Sequence, residues 1–372
     1  MQPIGLYIHV PFCVQKCPYC DFYSAPPRDE AALDAYTAGV RAALERWGER
    51  LDVSADTLYF GGGTPALLGG ERLAAILDTA GRCFRLFDGA EPEVTLEANP
   101  ADDLGETLAA FAAAGGNRLS LGMQSAISAE LQALGRRHTP ADVARTMADA
   151  RRAGIDNVSL DLMLGIPRQT AASVGESVRC LAESGATHAS AYLLKLEPHT
   201  PFGAHPPVLP DEDTAAELYE LAMDGLEAAG YRQYEISNAA RPGKESRHNL
   251  KYWNSDPYLG IGPAASSCLG HTRFQYPRST AAFLAGGEPV EEKDTDIPTG
   301  SETEYALLRL RLTEGLTEAG FFSRFGHGIP EEWRRQAAAL PAGLVTADAA
   351  GIRFSRRGFL VSNALIERIL AG

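Results

Sequence analysis

The chain has 372 residues, of which 45% are hydrophobic, so it can form one large domain and a smaller one, each with its own core. Its formal net charge is −14, from 34 basic and 48 acidic residues. An acidic chain without a basic run is a poor partner for a phosphate backbone, so nucleic acid is excluded as the main ligand.

The cysteines and the start of the chain bear on the cellular compartment. Cys83, Cys180 and Cys268 are scattered, which suits a reducing compartment better than a disulfide framework. Met1 leads almost directly into an apolar strand, without the charged and apolar regions of a secretory signal. No apolar run is as long as a membrane span. The sequence therefore predicts a cytoplasmic protein with no transmembrane segment.

The first half of the chain alternates between apolar runs and amphipathic stretches. Helical spacing of Leu33, Tyr36 and Val40 predicts the first helix over 29–49. Apolar runs predict strands at 5–10, 57–60, 93–97, 118–123, 157–163 and 188–194. Further helices are predicted at 71–80, 106–114, in two segments within 128–152, and at 170–184. This alternation predicts an α/β fold with a parallel sheet, which right-handed crossovers curl into a barrel or part of one.

The second half is less regular. A proline-rich stretch at 198–210 is a linker or an ordered loop, and a helix follows at 211–229. The segment 231–277 is rich in Gly, Asn, Pro and aromatic residues and predicts functional loops with short strands. After residue 301 the pattern predicts helices at 302–313, 317–325 and 330–339, strands near 344–345 and 352–354, and a final helix. We therefore expect domains at 1–210, 211–296 and 297–372.

Unusual residues follow the predicted strands where each of them ends. The carboxyl ends of parallel strands meet at one mouth of the sheet, where functional residues gather. In chain order, the strands lead to three cysteines within 13–20, the glycine loop 61–65, Glu97, Gln124, Asp161 and Lys195. The sequence thus predicts a site with thiols, a glycine turn, carboxylates and an amide at this mouth.

The three cysteines Cys13, Cys17 and Cys20 have the spacing CxxxCxxC. Three thiolates can hold three corners of an iron–sulfur cubane and leave one iron open to a small molecule. The alternative is a structural zinc site with His9 as the fourth ligand. The glycine loop by itself indicates only a tight turn, because it lacks the Lys and Ser or Thr of a phosphate-binding loop.

The cysteine spacing resembles that of the radical S-adenosylmethionine (SAM) superfamily, in which the open iron chelates the amino and carboxylate groups of SAM. The resemblance implies that the glycine loop meets the SAM amino group and that Tyr19 lies near the adenine. It also implies that Arg136 pairs with the SAM carboxylate, although Arg137 beside it leaves that assignment open. The SAM-binding residues implied in this way are Tyr7, Tyr19, Phe22, Gly62, Gly63, Thr64, Glu97, Gln124, Arg136 and Asp161. The alternative for the polar ones is a structural hydrogen bond or a surface ion pair.

Within the superfamily, the segments 7–13, 165–170 and 310–316 resemble the oxygen-independent coproporphyrinogen III oxidase group over nearly the whole chain. The resemblance implies a partial (β/α)6 TIM-type barrel with a small C-terminal α+β, winged-helix-like module. The group contains the oxidase itself and a haem chaperone. Oxidases carry a further cysteine where this chain has Phe22, and they have an N-terminal extension before the first strand.

The segment His248 to Trp253 matches the HNxxYW signature of the haem chaperones. A neutral imidazole can bind haem iron, and aromatic rings can cover the macrocycle. The implied haem-binding residues are His248, Asn249, Tyr252 and Trp253. Members of the group also carry a histidine where this chain has Ser266, so His271, or His248 alone, is expected to serve as the ligand.

The sequence is best interpreted as a haem chaperone that carries a 4Fe-4S cluster and SAM and passes haem to acceptor proteins. The alternative is a radical SAM enzyme that oxidatively decarboxylates coproporphyrinogen III to protoporphyrinogen IX. A zinc-stabilised binding protein is a third interpretation. The resemblance implies an electron donor of the flavodoxin or ferredoxin type and is compatible with a homodimer.

Overall fold

A computed structural model describes residues 2–100, 103–293 and 296–371. The first residue of the first predicted domain, Met1, and the last residue of the third, Gly372, lie outside the described residues. The main element is a twelve-stranded mixed sheet. Its strands are β1 (Ile4–Val10), β2 (Ala55–Gly62), β3 (Glu93–Ala98), β4 (Arg118–Gln124), β5 (Asn157–Leu164), β6 (His188–Leu193), β7 (Arg232–Gln233), β8 (Asn238–Ala240), β9 (Tyr258–Ile261), β10 (Ser266–Leu269), β11 (Thr272–Gln275) and β12 (Val290–Glu291).

Helices connect these strands and cover the outer face of the sheet. They are α1 (Glu30–Arg50), α2 (Gly70–Phe84), α3 (Gly105–Ala113), α4 (Ser128–Ala133), α5 (Pro140–Arg152), α6 (Ala171–Glu183), α7 (Pro201–Ala204), α8 (Glu212–Ala228), α9 (Arg247–Trp253) and α10 (Thr280–Leu284). No helix in the described ranges is both long enough and apolar enough to cross a membrane.

The six strands β1 to β6 run parallel and lie side by side in chain order. β9 continues the sheet beside β1 in parallel, and β8 continues it beside β6 in antiparallel orientation. The sheet ends at β12 on one side and β7 on the other. This is the predicted (β/α)6 arrangement, and it forms a partial barrel.

The strands pack against helices through continuous apolar faces. Helix α1 begins at Asp29, whose side chain accepts a hydrogen bond from the Ala32 N–H, and it buries Leu33 and Val40. Tyr36 is also buried there, and its hydroxyl donates to the His9 carbonyl at 2.6 Å. The helix predicted over 29–49 is therefore confirmed, and its buried face fixes the end of β1.

The described residues of the segment 211–296 contribute strands to both ends of the main sheet. They supply β7 and β8 at one end of the sheet and β9 to β12 at the other. Leu218, Leu259, Tyr276 and Phe283 belong to the same hydrophobic core as the barrel strands. The expected boundary at residue 210 therefore does not coincide with a break in the core.

The C-terminal module has its own core around Phe321, Trp333 and Ile352. It is joined to the barrel by the backbone bridge between Glu235 and Leu312. It consists of a three-stranded antiparallel sheet with helices, as predicted for a small α+β module. Its elements are α11 (Glu302–Arg309), β13 (Leu316–Thr317), α12 (Glu318–Phe325), α13 (Glu331–Ala338), β14 (Val345–Asp348), β15 (Gly351–Phe354), α14 (Arg356–Leu360) and α15 (Ser362–Leu370).

Helix α9 closes the barrel at the amino ends of β1 to β3. Its first backbone N–H groups, from Arg247 and His248, both donate to the buried carboxylate of Glu93 at 2.9 Å. At the other end of the helix, Lys251 donates to the Pro3 carbonyl at 3.0 Å and pairs with Asp56 at 2.8 Å. A negative charge at a helix N-terminus satisfies N–H groups that have no partner within the helix.

We expect Glu93→Ala to destabilise the barrel by roughly 1–3 kcal/mol, because the buried His248 N–H and the partly buried Arg247 N–H lose their acceptor. Urea denaturation followed by tryptophan fluorescence measures the change. The control is Glu91→Ala, which removes an exposed carboxylate two residues earlier. Equal stability of the two variants would show that Glu93 does not hold α9 in place.

Candidate functional site at the barrel mouth

The cysteine loop leaves β1 and returns to it. Backbone hydrogen bonds close its base, from the Cys13 N–H to the Ala25 carbonyl at 3.2 Å and from the Ala25 N–H to the Pro11 carbonyl at 2.9 Å. Within the loop, the Cys20 N–H donates to the Cys17 carbonyl at 3.1 Å. All three cysteines of the motif line one cavity of about 150 Å³ at the carboxyl ends of the strands.

The thiols repel one another once they ionise. Burial raises the pKa of the Cys20 thiol, and the charges of Cys17 and Cys13 raise it further. Arg136 partly offsets this repulsion, since its guanidinium donates to Cys17 Sγ at 3.6 Å. Three half-buried thiols on one cavity wall fit a positively charged metal centre, because metal ions favour the thiolate form.

The geometry of His9 argues against the zinc interpretation. Its Nε2 is hydrogen-bonded to the Tyr23 carbonyl at 2.9 Å, and its Nδ1 to the Tyr7 hydroxyl at 3.1 Å. Neither ring nitrogen is left for a metal. Within the described ranges, no group of three or more His, Cys, Asp or Glu side chains is arranged to hold a single metal ion.

The glycine loop fits tightly against the cysteine loop. At Gly62 the backbone φ is +107°, and a Cβ atom there would come within 2.7 Å of the His9 ring. A Cβ atom on Gly63 would lie 2.4 Å from the Phe12 carbonyl. The N–H groups of Gly63 and Thr64 donate to Val10 and Phe12 carbonyls at 2.8 and 2.6 Å. Because the chain itself uses these N–H groups, the loop is not a phosphate cradle.

A hydrogen-bonded chain ties the strand ends to the cysteine loop. Thr64 Oγ1 lies 3.4 Å from Cys13 Sγ and accepts a hydrogen bond from Asn99 at 2.8 Å. Asn99 in turn accepts one from Arg136 at 2.7 Å, and the Gly122 carbonyl accepts another at 2.9 Å. The guanidinium of Arg136 is therefore held at the cavity, whereas Arg137 is exposed.

Two buried carboxyl groups lie deeper in the cavity. Burial raises the pKa of Glu97 to about 7, although hydrogen bonds from the Tyr59 hydroxyl at 2.8 Å and the Gly62 N–H at 3.2 Å oppose this. Burial, and then the charge of Glu97, raise the pKa of Asp161 to about 7. Both groups therefore exchange protons near neutral pH, which suits contact with polar ligand groups.

Gln124 adopts an unusual backbone conformation, with φ of +63° at an irregularity in the β4 ladder. A non-glycine residue in this region costs about 1–3 kcal/mol, and such strain often occurs at functional sites. The side-chain oxygen of Gln124 accepts a hydrogen bond from the Tyr192 hydroxyl at 3.1 Å. The strain turns the amide toward the cavity wall.

The structure brings most of the predicted SAM-binding residues together. All of them except Tyr7 line the 150 Å³ cavity: Tyr19, Phe22, Gly62, Gly63, Thr64, Glu97, Gln124, Arg136 and Asp161. Tyr7 lines a neighbouring cavity of about 350 Å³ instead. Asn99 and Tyr192 line the 150 Å³ cavity but are absent from the predicted set. Asn99 lies two residues after Glu97, so its position at the end of a strand could have identified it as a site residue.

Phe22 is shared by three cavities. It lines the 150 Å³ cavity, the 350 Å³ cavity and a third space of about 440 Å³ that reaches into the barrel. Phe22 is 61% exposed. The three spaces therefore border on one aromatic residue.

The predicted haem-binding residues separate in the structure. His248 is 1% exposed, with Nδ1 2.8 Å from Thr57 Oγ1 and Nε2 2.8 Å from the Tyr252 hydroxyl. With both nitrogens engaged, it has none for haem iron, which argues against its predicted role as the axial ligand. Asn249 lines the 440 Å³ space, Tyr252 lines the 350 Å³ cavity, and Trp253 ends the helix half-buried. His271, the suggested substitute, is exposed in the turn after β10.

The barrel mouth combines three thiols, a glycine turn and buried carboxyl groups, as in radical SAM proteins. The family model for the radical SAM superfamily matches residues 7–181. The Heme chaperone HemW of Mycobacterium tuberculosis H37Rv is 38% identical over 380 residues, covering 99% of this chain and 95% of that protein. The Escherichia coli K12 Heme chaperone HemW is 35% identical over 384 residues, covering 100% and 99%. The chain therefore belongs to the HemW family.

Two further proteins, outside the bacterial chaperones named above, are similar to this chain. The mitochondrial radical S-adenosyl methionine domain-containing protein 1 of Mus musculus is 41% identical over 397 residues, covering 98% of this chain and 87% of that protein. The structure of coproporphyrinogen III oxidase (HemN) from Escherichia coli superimposes with a TM-score of 0.82 at 20% identity, covering 99% of this chain and 90% of that one. This last likeness shows that the two proteins share a fold.

Replacing one cluster cysteine tests the metal site. We expect Cys17→Ala to abolish the iron–sulfur cluster and leave the chain folded, because the cavity loses a ligand without losing core packing. Iron and sulfide analysis after anaerobic reconstitution measures the cluster, and circular dichroism measures the fold. Cys180→Ala, on helix α6, is the control and should reconstitute fully. A Cys17→Ala protein with normal iron and sulfide content would refute the assignment.

The buried carboxyl Glu97 predicts a pH-dependent stability. Its pKa is 4.5 when unfolded and about 7 when folded, so the fold favours the protonated form. Its contribution is fully present below pH 4.5 and is lost as pH rises through 7, a loss on the order of 3 kcal/mol. Glu97→Gln should remove this part of the pH dependence. Parallel curves of unfolding free energy against pH for both proteins would contradict it.

Proposed function

We propose that this chain is a haem chaperone, which binds haem and passes it to acceptor proteins while it carries a 4Fe-4S cluster and SAM. The observation that carries the proposal is similarity to Heme chaperone HemW proteins along the full chain, at 35% and 38% identity. Phe22, where the oxidases have a further cysteine, supports the chaperone over the oxidase. Its exposed ring borders the 350 Å³ cavity and offers an apolar surface to a macrocycle.

Cys13, Cys17 and Cys20 would hold the cluster, and the residues of the 150 Å³ cavity would hold SAM beside it. A cluster held there would supply one-electron chemistry next to the bound SAM. The chain orients this site in advance, because Asn99 and the Gly122 carbonyl fix the guanidinium of Arg136. A guanidinium held in this way can bind a carboxylate without further ordering of the arginine side chain.

Glu97 and Asp161 would accept hydrogen bonds from the hydroxyl and ammonium groups of SAM. Burial makes their ionised forms costly in the free protein. A ligand that donates hydrogen bonds, or that brings a positive charge, lowers that cost and favours the ionised carboxylates. The binding of SAM in this cavity is therefore coupled to the loss of protons from these two groups.

The 350 Å³ cavity suits haem better than the SAM cavity does. Aromatic side chains of Tyr7, Tyr23, Tyr252 and Tyr258 line it, and Arg278 lies at its rim. Tyrosine rings provide flat apolar surfaces for a porphyrin, and an arginine at the rim can pair with a propionate. The proposal therefore places haem next to the SAM site, with Phe22 between them.

The remaining partners are part of the same proposal. They are a haem-acceptor protein and an electron donor of the flavodoxin or ferredoxin type, with a homodimer as a further assembly. We propose a cytoplasmic location, which the free state of all six cysteines supports.

Haem binding and turnover should be measured on one anaerobic, cluster-reconstituted sample. We expect stoichiometric binding of haem and no conversion of coproporphyrinogen III when SAM and a reductant are added. The Cys17→Ala protein serves as the control that lacks the cluster. Formation of vinyl product without haem binding would mean that the chain is the oxidative decarboxylase.

A further inference from the structure

Arg118 is a buried cation at the inner end of the barrel. It begins strand β4, is 2% exposed and lines the 440 Å³ space. Its Nε has no hydrogen-bond partner among the described residues. The carboxylate of Glu97 lines the same space but accepts its hydrogen bonds from the Tyr59 hydroxyl and the Gly62 N–H. A buried guanidinium with incomplete hydrogen bonding is costly, which indicates that a ligand completes it.

Thr95 lies beside Arg118 on the inner face of the sheet. The two residues are paired in the register of β3 and β4, where neighbouring strands are about 4.8 Å apart. Thr95 precedes Glu97 by two residues, so both side chains point into the barrel. Thr95 is fully buried, and its Oγ1 has no hydrogen-bond partner in the described part of the chain. A guanidinium and a hydroxyl group that both lack partners are therefore adjacent at one point of the barrel wall.

This point lies at the end of the barrel opposite the mouth. Arg118 is the first residue of β4 and Gln124, at the mouth, is the last, and the seven residues of this strand span about 20 Å. Helix α9 covers the inner end, and its Asn249 lines the same space as Arg118. A ligand that enters at the mouth therefore reaches Arg118 through the length of the space.

We propose that the 440 Å³ space binds a small carboxylic acid, whose carboxylate is held by Arg118 and Thr95. A planar guanidinium can form two parallel hydrogen bonds to a carboxylate, and the threonine hydroxyl can donate a third. A monoanion fits better than a phosphate dianion, because Glu97 and Asp161 line the same space and repel negative charge. This inference goes beyond the haem-chaperone function and does not depend on it.

The bound acid would lie against the SAM site. Glu97, Asp161 and Tyr192 line both the 150 Å³ cavity and the 440 Å³ space. A carbon chain that extends from Arg118 toward the mouth therefore ends beside these residues. The volume of the space is in the range of small-molecule sites. The acid is thus placed as a second ligand next to SAM.

A propionate arm of haem fits this position less well. The 440 Å³ space and the 350 Å³ cavity share Asp21 and Phe22, which belong to the cysteine loop at the mouth. An arm of haem bound in the 350 Å³ cavity would enter there, at the opposite end of the barrel from Arg118. A propionate arm has two methylene groups and does not bridge that length. We therefore expect the carboxylate to come from a free acid.

The test is the binding of propionate to the full-length, cluster-reconstituted chain without haem, followed by saturation-transfer NMR of the propionate methyl group. SAM is added so that Arg136 is not free to bind the probe. We expect the wild type to bind propionate but not propionamide, which has a similar shape and no charge. Arg118→Gln should bind propionate about tenfold or more weakly, because the charged, two-fold hydrogen bond is lost.

Two further variants complete the test. Lys195→Gln is the matched control, because Lys195 lines the same space but has an 82% exposed side chain that pairs with Glu197 at 2.7 Å. It should bind propionate like the wild type. Thr95→Val keeps the shape of the side chain and should weaken propionate binding by a smaller factor than Arg118→Gln. Circular dichroism shows whether each variant is folded, and Thr95→Val tests the site if Arg118→Gln does not fold.

The outcomes separate this inference from the haem-chaperone function. A wild type that does not bind propionate, or equal affinity in the wild type, Arg118→Gln and Thr95→Val, overturns the carboxylate site. Haem that displaces propionate, and that loses affinity in Arg118→Gln while haem dimethyl ester does not, overturns the free acid in favour of a haem propionate. A wild type that binds propionate but no haem overturns the chaperone function and leaves this inference intact.

Discussion

One hydrogen-bonded chain holds the mouth of the barrel together, and its members are Cys13, Thr64, Asn99, Arg136 and Cys17. It joins the cysteine loop to the loops after β2, β3 and α4, which are far apart in the sequence. Buried polar groups without partners are costly, so each member constrains the position of the next. The positions of Cys13, Cys17 and Arg136 therefore depend on each other, and the site forms as a unit.

The barrel interior also contains a buried arginine whose hydrogen bonds are incomplete among the described residues. Arg118 is 2% exposed, and its Nε has no hydrogen-bond partner among the described residues. Its positive charge lowers the pKa of Glu97 and Asp161, but burial outweighs this effect in both carboxyl groups. An interior of this kind is poorly stabilised by the chain alone. The apolar core on the outer face of the sheet supplies the stability, which leaves the inner face available for ligands.

The sequence was sufficient to predict the barrel because its strands are apolar and its helices keep a regular period. The cysteine spacing and the glycine turn were also visible, since each depends on neighbouring residues. Gln124 was a candidate, but its left-handed backbone was not visible, because tertiary contacts impose it. The hydrogen bonds of His248 were not visible for a similar reason. Its partner Thr57 lies 191 residues away in the chain, and only the fold shows that this imidazole is already occupied.

The two ends of the open sheet have a consequence for aggregation. Each end is a strand of only two residues, Arg232–Gln233 in β7 and Val290–Glu291 in β12. Long flat edge strands offer a template on which other chains can add, whereas short edges that carry charge do not. An unclosed barrel would ordinarily risk edge-to-edge association. Here the risk is low, because neither edge strand is long enough to pair with a strand of another chain.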